Sequence, residues 1–505
     1  MAERPVSPPA RFSRRRLLQA GAAGLGAAGL GAVAGERAYA ATTRSGHAPS
    51  GAKGLGPGGK LLAPDSRPFP HLPVGTDTMP KIEHIVVLMM ENHSFDDHWG
   101  MLGRGDGLTL GPDHKPVNYN PNPAGGYVQS FRNPNTVGYA DTHISQSWDA
   151  SHLSWDHGTN RGFVGACGPA AMGYWTGDDL PFYYSLARQF PIGDRYFCSV
   201  MAQTYPNRRF LIAATALGDV TTSGAGVSSV DAPNGTIFDR LDHYGISWKD
   251  YYPDLPTCAL FLPNFLENQT DGKVVHFERF LTDAASGTLP SFSLIDPYDN
   301  YSEENNDISI GEAYAATMIN AVLRSPAWEK TALVLTYDEH GGWYDHVSPV
   351  RAVRPDNVPP AITVPPDQPG SYDYTGFRVP CVVVSPWARR NHVSHVVYDH
   401  TSVLKLVETK WNLPAMTYRD ANAENMLDFF DFSARRAAFA EPPELAKPLN
   451  PFVGPLPAGS STASDFHPIA TAVPGSGPAP GAQIARPPRH ADALIARHTK
   501  RALAT

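Results

Sequence analysis

The chain predicts an α/β fold: a doubly wound, mainly parallel sheet with helices on both faces and a loop-rich cap insertion. Three observations predict it. Residues 85–90, 333–337 and 381–384 are continuous apolar runs, the pattern of strands covered on both faces. Segments of helical period lie between and after them, and such alternation favours parallel pairing. Two of the runs end in acidic residues, Glu91-Asn92 and Asp338-Glu339, at the strand ends where open α/β sheets build their sites.

The first 40 of the 505 residues read as an address. Ser13-Arg14-Arg15-Arg16-Leu17-Leu18 resembles a twin-arginine export signal, followed by a Gly/Ala-rich apolar stretch and the small-residue cleavage pattern Ala38-Tyr39-Ala40. That stretch is too short and too rich in glycine for a stable span, so no transmembrane segment is expected after cleavage. An exported protein, secreted, cell-wall associated or periplasmic, is the expectation. Residues 41–80 are rich in Gly, Pro and Ser and read as a flexible mature N-terminus.

The catalytic body is expected over 81–440. Ser94 can cap a short helix through Asp96, Asp97 and His98. Residues 181–190 form a helix that Asp178-Asp179 can cap, and 208–217 continue a helical run from Pro206. Residues 312–324 place Ala315, Ile319, Val322 and Leu323 on one face. Residues 401–411 do the same with Val403, Leu404, Val407 and Trp411. The Tyr/Pro/Asp-rich stretch 223–300 reads as a cap or long loops over the site. Residues 441–505, Pro/Ala-rich and then basic, read as a disordered tail.

Bulk composition narrows the function. A net charge of −8 argues against general nucleic-acid binding, which needs a basic face. Hydrophobic content of 42% is ample for a packed core. Cys167, Cys198, Cys258 and Cys381 could form two disulfides in an exported protein, or remain buried thiols. There is no P-loop, no H-E-x-x-H and no G-x-S-x-G elbow.

What remains is an oxygen-rich constellation. Glu91, Asn92, Asp338 and Glu339 offer hard donors, and adjacent carboxylates repel unless a cation lies between them. Thr204, at or near a helix start, is the candidate nucleophile, activated by metal coordination. Glu91, Asn92, the Thr204 oxygen, Asp338 and Glu339 would hold one divalent ion, with Ca, Mg or Mn favoured by the donors and Zn still open. His340 and His346 flank the second acidic pair and could bind phosphate oxygens, protonate a leaving group or orient a ligand.

With these residues in hand, the chain resembles the bacterial phosphoesterase family that includes phosphatidylcholine-type phospholipases C and acid phosphatases, within the alkaline phosphatase superfamily. The resemblance rests on 82–100, 178–215, 336–349 and 376–432, including Glu91-Asn92-His93-Ser94-Phe95 and Tyr398-Asp399-His400-Thr401-Ser402. It implies metal binding by Glu91, Asn92, Asp338 and Glu339, and a Thr204 nucleophile that forms a phospho-enzyme. It also implies that His152, four residues after Trp148, faces the phosphate. A phosphoester substrate follows, a phospholipid at a membrane surface in the phospholipase branch and a soluble monoester in the phosphatase branch. Glu303, Asn306 and Arg161 stand where relatives carry two His and an Asp, which raises a catalytically reduced surface-binding homologue as a further alternative.

Overall fold

The computed structural model describes residues 60–137, 144–222, 232–254, 256–259, 262–298, 307–452 and 481–504. At its centre lies an eight-stranded sheet. In chain order its strands are β1 (His84–Met90), β2 (Ile192–Gly193), β3 (Trp248–Tyr252), β4 (Val274–His276), β5 (Phe292–Ile295), β6 (Thr331–Tyr337), β7 (Cys381–Val384) and β8 (Val393–Ser394). They lie side by side as β8-β2-β7-β6-β1-β5-β3-β4. From β6 to β4 every pairing is parallel, whereas β7 runs against both β6 and β2. The mainly parallel α/β class is therefore observed, with one strand reversed.

The apolar runs explain the layering. Side chains alternate faces along a strand, so a run without polar alternation needs cover on both. Every residue of β6 and β7, and all of β1 after His84, is buried. Each fully buried Val, Leu or Ile contributes roughly 1.5–3 kcal/mol.

The helices agree with the sequence reading in place more than in their ends. Phe95–Trp99 is capped by Ser94, whose Oγ accepts from the Asp97 N–H at 3.1 Å. Ile308–Leu323 begins a turn before residue 312, because Asp307 accepts from Ser309 N–H at 3.0 Å. His400–Trp411 starts from an Asp399/Ser402 capping box. Thr204–Ala213 stops short of 217, closed by Ala214 in the left-handed region. Asp179 does not cap Pro181–Gln189; its carboxylate accepts from Thr176 and pairs with Arg132 instead.

Three expectations are corrected. The described parts of 223–300 are no cap: they supply β3, β4 and β5 to the central sheet. Aromatic and acidic residues in Trp248–Tyr252 masked the strand, yet Trp248, Asp250 and Tyr251 are buried there. Residues 60–80 are ordered against the body, where the Asn412 side chain donates to the carbonyls of Phe69, Leu72 and Pro73. In the tail, Gln483–Ile484 pairs with Tyr127–Gln129, and the helix Ala491–Ala502 docks through Ala491 and an Asp492 carboxylate that accepts from Tyr119. The export signal, Glu303 and Asn306 lie outside the described residues. Among the described residues no helix is long and apolar enough to cross a membrane. All four cysteines are buried free thiols.

Candidate functional site

The site follows from strand register. β1 and β6 are parallel neighbours with Met90 paired to Tyr337, so the next residues, Glu91 and Asp338, emerge side by side at the carboxyl ends. β5 flanks β1 on the other side with Ile295 paired to Leu88, and Asp296 follows directly. Three adjacent strand ends thus bring three carboxylates to one edge.

Local contacts close the cluster. Asp338 Oδ1 accepts from the N–H of Asn92 at 3.2 Å and from that of Glu339 at 2.7 Å. Glu339 Oε2 accepts from Gly341 N–H at 2.8 Å. Gly341 has φ +63, and a Cβ there would stand 2.1 Å from the Asn92 carbonyl oxygen, so only glycine lets the two acidic segments approach this closely. Asn92 itself is left-handed, at φ +67.

Thr204 opens its helix directly beside this cluster. Gln203 is the residue preceding the first turn, and the Thr204 side chain draws the Asp338 carboxyl down against the effect of its burial. One turn later Arg208 points the same way. Its Nη2 lies 3.0 Å from Glu91 Oε1, its Nη1 2.9 Å from Asp296 Oδ1 and its Nε 3.3 Å from Asp338 Oδ2. The predicted set of Glu91, Asn92, Thr204, Asp338 and Glu339 is therefore contiguous, with Arg208 and Asp296 added.

The electrostatics are those of a buried, acid-rich site. Burial pushes the Asp338 carboxyl up, while Arg208 and the N–H groups of Asn92 and Glu339 pull it back. Asp296 is likewise raised by burial against the opposing pull of Arg208. Burial works against the Arg208 charge, but Asp338 and Glu91 outweigh it and the guanidinium stays protonated.

The residues present fit a divalent cation. Three carboxyl groups, Glu91, Asp296 and Asp338, share a single guanidinium, and Glu339 follows Asp338 in the same buried cluster, so acids outnumber fixed cations in low dielectric. Both side-chain polar atoms of Asn92 are buried without a hydrogen-bond partner, which is costly unless something else engages them. An all-oxygen donor set suits a hard ion.

The model of the phosphoesterase family matches residues 82–414, a span that contains the whole cluster. The chain belongs to the phosphoesterase family. It is a hydrolase acting on phosphoester bonds. It is 31% identical to phospholipase C A of Mycobacterium tuberculosis over 74% of this chain and 81% of that one. Non-specific phospholipase C1 of Arabidopsis thaliana is also 31% identical, over 74% of this chain and 75% of its own. A solved alkaline phosphatase superfamily protein from Vibrio parahaemolyticus covers 72% of each chain at 11% identity and a TM-score of 0.35, a loose likeness from which nothing follows.

The histidines of this phosphoesterase depart from expectation. His346 has both ring nitrogens engaged, Nδ1 with Asp96 Oδ2 at 2.7 Å and Nε2 with Asp106 Oδ1 at 3.2 Å, so no nitrogen remains for substrate. Despite its burial, Asp96 and Asp106 raise it to about 10. Asp96, Asp345 and His346 have ligand atoms within 4.8 Å of one another and could hold an ion. Arg378 already sits there, 3.0 Å from Asp96 and 2.9 Å from Asp345, and with His346 balances the acids. This is an ionic strut, and His346 is removed from the catalytic set.

His152 is held by its fold rather than by a carboxylate. Its Nδ1 lies 2.7 Å from the Trp148 carbonyl, and burial lowers it to about 4. A Cβ on Gly370 would stand 2.4 Å from Nε2, so the backbone of that loop closes over the ring. His152 is a neutral imidazole, able to accept a proton but not to stand as an acid. His340 and His400 are also held neutral by burial, at about 3 and about 4. His340 Nδ1 lies 3.1 Å from Glu339, and His400 Nε2 donates to the Asp338 carbonyl at 2.6 Å. Arg161 donates to Tyr119 beside the C-terminal helix.

Asp296, Arg208 and His400 were missed from the sequence. Asp296 ends a short apolar run in the same manner as Glu91 and Asp338, a signal hidden by reading 223–300 as a cap. Arg208, four residues after Thr204, was legible as a same-face helix partner.

Proposed function

We propose that the protein is an exported phospholipase C-type hydrolase that cleaves phosphodiesters through a covalent intermediate on Thr204. The observation that carries this reading is the cluster at the ends of β1 and β6, where Glu91, Asn92, Asp338, Glu339 and Arg208 converge beside the helix that Thr204 opens. The shared length and identity with the two phospholipases C support a phospholipid substrate over a soluble monoester.

Thr204 Oγ attacks phosphorus as its proton passes to the Asp338 carboxylate, which burial makes more basic than a surface acid. The P–O bond to the alcohol breaks, and the alcohol takes its proton from the medium, since His152, His340 and His400 are all neutral. Water then displaces Thr204 and gives up one proton to the medium, while Thr204 regains its own proton from Asp338. Glu91, Asn92, Asp338, Glu339 and the Thr204 oxygen would hold one divalent ion. When bound, that ion offsets charge on the phosphoryl oxygens.

Thr204→Ala is expected to lower turnover of p-nitrophenyl phosphorylcholine by at least about a thousandfold with the circular dichroism spectrum unchanged. Near-wild-type activity in that variant would sink the nucleophile. Faster hydrolysis of p-nitrophenyl phosphate than of the diester would favour the monoesterase. The export reading rests on Ser13 to Leu18. Arg14→Lys with Arg15→Lys should retain the protein in the cytoplasm on fractionation, and unaltered export would remove that reading.

A further inference from the structure

We propose that Arg208 is the positioning residue of this site and also its built-in second cation, tying the Thr204 helix to three strand ends and limiting the site to one divalent ion. The inference rests on the assignment of Thr204 and its neighbouring oxygen donors given above, and it concerns a residue outside that donor set.

The geometry is unusually constrained. The Arg208 side chain is 0% exposed, and its three nitrogens address three different carboxylates at 3.0, 2.9 and 3.3 Å. Those carboxylates end β1, β5 and β6, which are adjacent in the sheet. A planar guanidinium presents its donors in a fixed fork, so the hydrogen bonds of Nη2 to Glu91 and Nη1 to Asp296, with Nε in ion-pair range of Asp338, fix both the depth and the rotation of the helix that carries it. Thr204 lies one turn earlier on that helix. Its hydroxyl is thereby held against Asp338, where a displacement of about 1 Å costs roughly a hundredfold in rate.

The same contacts set the charge. Arg208 lies between Glu91 Oε1, Asp338 Oδ2 and Asp296 Oδ1, within 3.3 Å of each. A second ion placed among Glu91, Asp338 and Asp296 would have to displace the guanidinium. The other Asp338 oxygen accepts from the backbone N–H groups of Asn92 and Glu339, the two residues whose side chains are assigned to the first ion. One fixed organic cation and one exchangeable inorganic cation thus divide the acid cluster between them.

The test titrates Ca²⁺ and Mn²⁺ calorimetrically into the full-length wild type, Arg208→Met and Arg208→Lys, alongside diester kinetics. Wild type is expected to bind one ion. Arg208→Met should bind a second ion, or its single ion at least about tenfold tighter, while kcat falls about a hundredfold or more. A site merely damaged by the substitution would lose ions, not gain them. Arg208→Lys keeps the charge but not the fork, so it should bind one ion and lose about tenfold in kcat at unchanged KM. The proposal is overturned by a folded Arg208→Met that binds ions as wild type or more weakly, or by an Arg208→Lys with wild-type kcat. Should Arg208→Met not fold, Arg208→Lys alone decides. Thr204→Ala is run in parallel: if it retains turnover the nucleophile assignment fails, whereas the ion count of Arg208→Met judges Arg208 separately.

Discussion

At the scale of single residues, the acids in this protein divide by what neutralises them. Asp96, Asp106 and Asp345 are matched by Arg378, Arg195 and a protonated His346. Glu91, Asp296 and Asp338 share Arg208 and, with Glu339 beside them, remain in excess. The first group is structural, and it carries a pH signature. His346 rises from an unfolded value near 6.5 to about 10 in the folded chain. Its contribution to stability is whole below the unfolded value and is lost as pH climbs through about 10. Denaturant unfolding at pH 6, 8 and 10 should therefore show a decline of a few kcal/mol for wild type, because each tenfold gain in proton affinity on folding is worth about 1.4 kcal/mol. His346→Gln should be less stable at pH 6 and flatter across the range. A variant that declines as steeply as wild type would mean His346 is not the group responsible.

At the scale of elements, helix ends did more than helix faces to set the geometry. The periodicity of Ala315, Ile319, Val322 and Leu323 located the Ile308–Leu323 helix, but its start depended on Asp307, which the apolar pattern does not report. Asp307→Ala removes the acceptor for Ser309 N–H and is expected to cost about 1 kcal/mol. Equilibrium unfolding would register that loss; no change would show that the cap is replaced by another group. The same limit explains what was legible in the candidate site. Glu91 and Asp338 could be read because each terminates an uninterrupted apolar strand, and parallel register then makes them neighbours. Asp296 obeys the same rule, but β5 is short and lies in a segment crowded with Tyr, Pro and Asp. The Ala491–Ala502 helix was lost for a different reason. Its only deep anchors are small alanines, and of its charged residues Asp492 docks on Tyr119 while Arg497, Lys500 and Arg501 are exposed, so composition alone looked like a solvated tail.

Across the whole molecule, one sheet edge organises the function. Strand order places β6, β1 and β5 together, their carboxyl ends bring in the acids, and a single helix delivers both Thr204 and Arg208 to them. The fold class was readable from the alternation of apolar runs and helical periods; the reversal of β7 was not, because a buried run looks the same in either direction. Residues 60–80 and 481–504 wrap the body through hydrogen bonds to carbonyls and a short strand pairing, contacts with no sequence periodicity to announce them. The central claim is that Thr204 becomes covalently bound to phosphorus during turnover. Rapid acid quench of the metal-reconstituted enzyme with a phosphodiester substrate, followed by peptide mass spectrometry, tests it most directly. The account predicts the phosphoryl headgroup esterified to Thr204 in wild type and absent from Thr204→Ala. An adduct on another residue, or full turnover by Thr204→Ala with no adduct at all, would contradict it.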